Sequence, residues 1–317
     1  MLVAVLGPTG SGKSALGLAL AERFGGEIVS CDSAAVYRGL DIGTDKLPLE
    51  ARRGIPHHVV DVADPRESYT AARFARDASE AVRAIHARGR LPILVGGTGF
   101  YYRALTRGLF PGPSRDEALR ERLRAAARRR GAGFLHRMVA RVDPGSARRI
   151  LPRDEVRLVR ALEVYFLTGR PLTAHFADTV SPLPGVEVVG LLLQVPAAVL
   201  GERIAARVAG QFARGWVNEV RRLLASGVPP DAHAFQALGY RELIEHLEGR
   251  LDERAARELI VAETRKYARR QLIWFRKEPN LEVIPGPGER GTAIAAATRL
   301  VARRLPGSPC ARDEETP

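Results

Sequence analysis

The chain is poor in sulfur and in aromatic side chains. Its 317 residues include two cysteines, two methionines and two tryptophans, and aromatic residues make up 6%. Cys31 and Cys310 do not amount to a disulfide framework, so a reducing cytoplasm is the expected setting. No apolar run is long enough to span a bilayer, and no membrane role is expected. The apolar opening MLVAVLG has neither a basic region nor a cleavage site, and it reads as a buried strand rather than a signal peptide. Repeats are absent, and the only biased tract is the polar tail after Leu305, expected to be frayed. Acidic residues are outnumbered, with 36 Asp and Glu against 49 Lys and Arg, a net charge of +13. That balance favours an anionic partner such as nucleic acid, acidic membrane or polyphosphate, the alternative being an Arg-rich composition spread over a soluble surface.

Apolar residues make up 45% of the chain, enough for a full core. Leu2–Leu6, Glu27–Cys31, His57–Val62 and Leu91–Val95 read as strands, alternating with helices at Ser14–Phe24 and Tyr69–Arg88, the latter with Thr70 as a possible cap. This alternation predicts an α/β fold, a parallel sheet with helices on both faces and ligands beyond the carboxyl ends of its strands. Pro111-Gly112-Pro113 breaks the pattern. The following Arg-dense stretch is helical to about Leu183, and Val186–Val195 returns to strand composition. The sequence therefore predicts a core in two parts, 1–112 and 185–305, interrupted by an all-helical insert at 113–184, with a disordered tail at 306–317. Helices are expected at Ala198–Ala225, Tyr240–Glu248 and Glu253–Lys277, then a short strand at Leu281–Ile284.

The first chemical signal is Gly7-Pro8-Thr9-Gly10-Ser11-Gly12-Lys13-Ser14, a full P-loop pattern between a strand and a helix. Its glycines let backbone N–H groups converge on phosphate oxygens at a helix N-terminus. Lys13 would neutralise terminal phosphate charge and the Ser14 hydroxyl would ligate Mg²⁺. The motif specifies polyphosphate and metal, not ATP. Asp32, at the end of the second strand, is either a general base beside the phosphate site or a cap on the next turn. Asp61 and Asp64 are weak candidates for metal support, and a solvated loop explains them better. His57-His58 has no cysteine partners at zinc spacing. Thr98 sits among Gly96, Gly97 and Gly99, which allow close approach of a ligand. The helix Arg265–Arg276 interleaves basic residues with Tyr267, Trp274 and Phe275, suited either to a nucleic-acid backbone or to an amphipathic core contact. No Asn-Lys-x-Asp motif supports a GTPase. The residues alone leave open a small-substrate phosphotransferase, a transferase acting on nucleic acid with a diphosphate leaving group, and a non-enzymatic RNA-binding protein.

Several segments in order resemble the tRNA dimethylallyltransferase family: the P-loop, Asp32-Ser33, Val36–Thr44, Ile55–His58 and Gly96–Tyr101. They continue with Val142-Asp143-Pro144, Asp154 with Arg157, Arg160–Val164, Thr168-Gly169, Gln236–Tyr240 and Arg269–Leu272. The resemblance reaches to about Arg276. It implies transfer of a dimethylallyl group from dimethylallyl diphosphate to the exocyclic amine of the adenosine 3′ of the anticodon, in tRNAs reading codons that begin with U. The P-loop would then hold the pyrophosphate leaving group with Mg²⁺. By family position Asp32 accepts from the amine, Thr9 and Arg207 stabilise the leaving group, and Ser33, Thr98, Arg157, Arg160, Gln236, Arg269 and Gln271 match tRNA-contacting segments. The helical insert resembles the family's anticodon-gripping domain. A monomer without an obligate protein partner is expected. The chain departs from the family at Ala35, often Gln, at Asp45-Lys46-Leu47, usually Ala-Lys-Pro, and at Gln211, often Met. Free-adenylate isopentenyltransferases share the loop and the aspartate, and are expected to lack the long insert and the C-terminal basic helix.

Overall fold

A computed structural model describes residues 1–305. The polar tail expected to be disordered lies outside them. The chain divides into two compact units: Met1–Thr106 with the chain from Leu183 onward, and Arg107–Pro182.

The larger unit is built on six parallel strands: β1 (Leu2–Leu6), β2 (Gly26–Cys31), β3 (His57–His58), β4 (Leu91–Gly96), β5 (Val188–Gln194) and β6 (Leu281–Pro285). Their spatial order is β3-β2-β4-β1-β5-β6. β1 and β2 are buried along their whole length, as strands covered on both faces must be. The strand period of two sorts β1 between two cores. Leu2, Ala4 and Leu6 face one, with Val29, Leu94 and Phe74. Val3 and Val5 face the other, with Leu16, Leu20, Ile28 and Ile93.

The helices follow from local chemistry. Lys13–Phe24 is closed by Gly25 at φ 61°, a left-handed position suited to glycine, and β2 begins at the next residue. Thr70 caps Ala71–Ala87 by accepting from the Arg73 amide at 3.1 Å, as expected. Three expectations need correction. The helix expected over Ala198–Ala225 is two, Ala197–Ala213 and Trp216–Ala225, because Gly215 at φ 89° turns the chain between them. The strand expected over His57–Val62 stops at His58, since Val59 (φ 61°) and Asp61 (φ 58°) leave the extended region. A helix at Gly291–Arg304, absent from the sequence reading, packs Ala293, Ala297 and Val301 on the second core. No helix among the described residues is long and apolar enough to cross a membrane.

The smaller unit comprises helices Glu117–Arg130, Phe134–Val142, Pro144–Arg149, Glu155–Thr168 and Leu172–His175. Asp116, Asp143 and Asp154 cap three of them. Leu123, Leu135, Val139, Leu158 and Leu162 form their core. The unit starts at Arg107, before the Pro111–Pro113 break, because Phe110 packs within it, its ring 5.5 Å from that of His175 and 6.0 Å from that of Phe176. Beside that core Glu163 is fully buried. It accepts from Arg120 Nε at 2.7 Å and Nη2 at 2.8 Å, Arg160 Nη1 at 2.6 Å and the Asp116 amide at 2.8 Å.

Candidate active site

The ends of β1, β2 and β4 in the larger unit open on a cavity of about 410 Å³. From β1 the chain runs into the P-loop, where Gly10 (φ 79°) and Gly12 (φ 85°) take left-handed conformations. Lys13 opens the helix, and its Nζ donates to the Pro8 carbonyl at 2.7 Å. Its pKa is lowered to about 8, first by burial and then by the charge of Arg207, against an opposing pull from Asp32. Ser14 is exposed and lines the cavity. The Ser11 hydroxyl is buried and has no hydrogen-bond partner among the described residues.

Asp32 follows β2 and also lines the cavity. Of the two roles its sequence position allowed, the hydrogen bonds show the cap. Oδ1 accepts from the amides of Ala34 (2.8 Å) and Ala35 (3.2 Å), a local turn cap. Oδ2 makes no hydrogen bond among the described residues, so it keeps its lone pairs for a ligand. Ser33 is tied to the loop after β4, its amide donating to Thr98 Oγ1 at 3.1 Å. Tyr267 reaches the same place from the helix Glu253–Phe275. Its phenol is pushed up to about 12, chiefly by burial and then by the Asp32 charge.

Arg207 lines the cavity from the helix Ala197–Ala213. Its Nη2 donates to the Thr44 carbonyl at 3.2 Å, and its Nε lies 3.5 Å from Asp45 Oδ2. One turn earlier, Arg203 Nε donates to the Gly10 carbonyl at 2.6 Å, bracing the P-loop from outside the cavity. The loop carrying Thr44 is anchored by buried Glu219, whose carboxylate accepts from the amides of Asp41, Ile42 and Gly43 and from the Tyr240 hydroxyl. Gln211 adds bonds to the Ile42 and Gly43 carbonyls at 3.1 and 2.8 Å.

Thus Thr9, Lys13, Ser14, Asp32, Ser33, Arg207, Gln236 and Gln271 share one cavity. Thr98 stands one residue behind Gly97 and acts on the wall through Ser33. Gln271, read as a tRNA contact, is buried and uses both ends of its amide internally. It accepts from the Thr9 amide at 2.9 Å and donates to the Gly97 carbonyl at 2.8 Å. Arg160 likewise has its guanidinium on Glu163 and on the Pro113 carbonyl at 3.1 Å. Arg157 and Arg269 are exposed, Arg157 in an ion pair with Asp154 at 3.2 Å. Asp61 pairs with Lys46 and Asp64 with Arg66, and neither carboxylate lines the cavity. Sequence reasoning missed Arg203, Glu219 and the bracing role of Gln271. Each acts across more than 170 residues of chain, which no local pattern encodes.

A P-loop at the end of the central strand, facing an open carboxylate and a guanidinium across one cavity, defines a P-loop transferase. The sequence model of the IPP transferase family matches residues 35–278. A tRNA dimethylallyltransferase of Solibacter usitatus is 51% identical over 280 residues, 88% of this chain and 91% of that protein. One from Koribacter versatilis is 44% identical over 305 residues, 95% and 98% of the two chains. Among solved structures, the full-length tRNA isopentenylpyrophosphate transferase of Bacillus halodurans superposes with a TM-score of 0.70 at 35% identity, covering 95% of this chain and 96% of that one. A eukaryotic dimethylallyltransferase acting on tRNA gives a TM-score of 0.79 at 27% identity, covering 96% of this chain and 78% of that one. The chain belongs to the IPP transferase family.

Proposed function

We propose that the protein moves a dimethylallyl group from dimethylallyl diphosphate to the exocyclic amine of the adenosine 3′ of the anticodon, in tRNAs reading codons that begin with U. The observation that carries this reading is the single cavity in which Thr9, Lys13, Ser14 and Arg207 stand together with Asp32. An adenine amine is a weak nucleophile because its lone pair is delocalised into the ring. Asp32 Oδ2 accepts its proton as the C–N bond forms and the allylic C–O bond breaks. Negative charge grows on the departing pyrophosphate, where Lys13, the P-loop amides and Arg207 receive it. Lys13 moves from the Pro8 carbonyl to the phosphate as it does so.

The exposed Ser14 hydroxyl, together with oxygens of the diphosphate itself, suits Mg²⁺, which binds through few protein ligands and keeps several waters. Among the described residues no cluster of three His, Cys, Asp or Glu offers a protein-only cage, in keeping with a metal that arrives with its phosphates. When bound, Mg²⁺ neutralises charge on the leaving group.

On the same reading the basic helical unit 107–182 grips the anticodon arm. Exposed Arg157, Arg269 and Gln236 contact RNA, while Gln271 braces the P-loop and Arg160 holds Glu163 and the Pro113 carbonyl. Flipping the adenosine out of a loop costs a few kcal/mol, which phosphate contacts offset in a salt-dependent way. The test is incubation with dimethylallyl diphosphate, Mg²⁺ and unmodified tRNA, followed by nucleoside mass spectrometry. Prenylated adenosine is expected, and Asp32→Ala should abolish it while leaving tRNA binding mostly intact. Release of ADP from labelled ATP without prenylated product would replace this reading with a phosphotransferase.

A further inference from the structure

Asp45 and Gln211 meet at one loop. The backbone of residues 41–43 is pinned by Glu219, and the carbonyls of residues 42 and 43 by Gln211. The position of residue 45 is therefore dictated by the fold. Its carboxylate stands between two guanidinium groups, Oδ1 at 2.6 Å from Arg214 Nη2 and Oδ2 at 3.5 Å from Arg207 Nε. Asp45 lines the same cavity as Thr9, Lys13, Ser14 and Arg207. A carboxylate here is unexpected on electrostatic grounds, because the leaving group that must enter carries several negative charges of its own.

We propose that Asp45 is a built-in competitor for the diphosphate: it holds the Arg207 guanidinium in the free enzyme, gives it up to the incoming phosphates, and takes it back as pyrophosphate leaves. The inference rests on the reading of Arg207 as a diphosphate ligand. The geometry suits an exchange. The Asp45 side chain is 37% exposed, so its pair with Arg207 is partly solvated and weak enough to release. A multiply charged diphosphate outcompetes one carboxylate for the guanidinium. Asp45 keeps Arg214 as its partner while Arg207 is engaged. Substrate and product bind less tightly by the same factor, so the gain falls on the step that limits many transferases, departure of the anionic product.

The experiment measures inhibition by inorganic pyrophosphate against dimethylallyl diphosphate in the full-length enzyme and in Asp45→Asn. Asparagine tolerates the left-handed backbone of residue 45 (φ 57°). The expected result is inhibition about two- to fivefold tighter, the range that one partly exposed ion pair supports. The same substitution in an Arg207→Ala background should leave pyrophosphate inhibition unchanged. Weaker or equal inhibition in Asp45→Asn overturns the proposal, since Asp45 would then be orienting Arg207 or doing nothing. Equal tightening with and without Arg207 also overturns it, because the effect would be general charge and not exchange. If Arg207→Ala alone leaves pyrophosphate inhibition untouched, the reading of Arg207 itself fails, an outcome distinct from the other two.

Discussion

Glu219→Gln tests whether the loop beside Arg207 is held by one buried carboxylate. Glu219 is 2% exposed. Its Oε2 accepts from the Asp41 and Ile42 amides at 2.8 and 2.6 Å, and its Oε1 from the Gly43 amide at 3.2 Å and the Tyr240 hydroxyl at 2.8 Å. Glutamine keeps one acceptor oxygen, best placed on the two shorter backbone bonds. Its amide NH₂ then faces the Gly43 N–H, donor against donor, while the Tyr240 hydroxyl can rotate to accept. Two charge-assisted bonds become neutral, at roughly 1 kcal/mol each, and one buried donor loses its partner at about 1–3 kcal/mol. The sum is about 3–5 kcal/mol. A domain stable by about 5–15 kcal/mol survives this at room temperature, with a lowered urea midpoint. The same loop presents Thr44 and Asp45 to Arg207, so kcat/KM for dimethylallyl diphosphate should fall about ten- to a hundredfold, the scale of a small misplacement at a reacting centre. Urea unfolding and initial rates report the two effects separately. A variant within about 0.5 kcal/mol of the parent and with unchanged kcat/KM would refute the assignment of Glu219 as the anchor.

Other features give independent tests. Burial pushes the Glu163 carboxyl up, but hydrogen bonds from Arg120, Arg160 and the Asp116 amide outweigh it and hold the pKa at about 2. Because the folded value lies below the ordinary 4.5, the stabilisation is fully present above about pH 4.5 and is lost as pH falls toward 2. It amounts to roughly 3 kcal/mol, and Glu163→Gln should flatten that part of the acid-unfolding curve followed by circular dichroism. Gln271→Leu strands the Thr9 amide and the Gly97 carbonyl. Stability should drop by about 2–4 kcal/mol and kcat by tenfold or more. A loss of tRNA affinity with unchanged kcat would instead make Gln271 an RNA contact. A Cβ added at Gly99 would collide with the Trp274 ring, so Gly99→Ala should cost about 1–3 kcal/mol in urea unfolding, and an unchanged midpoint would argue against that packing.

The P-loop was legible because its signature is local. A strand, three glycines, a lysine and a serine lie within a dozen residues, and their spacing carries the geometry. Asp32 was legible as a position but not as a role, since a strand-end aspartate serves equally as a cap, and here Oδ1 caps the turn while Asp32 also lines the cavity. Arg207 was invisible to periodicity and entered through family resemblance alone. The internal hydrogen bonds of Gln271 and Arg160 were not legible in the sequence. Polar side chains in a basic segment read as outward-facing, yet Gln271 is turned inward by Thr9 and Gly97, far away in sequence, and Arg160 is held by Glu163 and the Pro113 carbonyl. The Gly291–Arg304 helix escaped because its buried stripe is mostly alanine, too weakly apolar to show a period.

The place of β1 has a consequence for synthesis. β1 lies in the interior of the sheet between β4 and β5, with Leu2 aligned to Val188 far along the chain. One side of β1 therefore stays unpaired until β5 has been synthesised. A nascent chain stalled inside the intervening helices carries a bare apolar edge, the kind of surface that invites chaperones or aggregation.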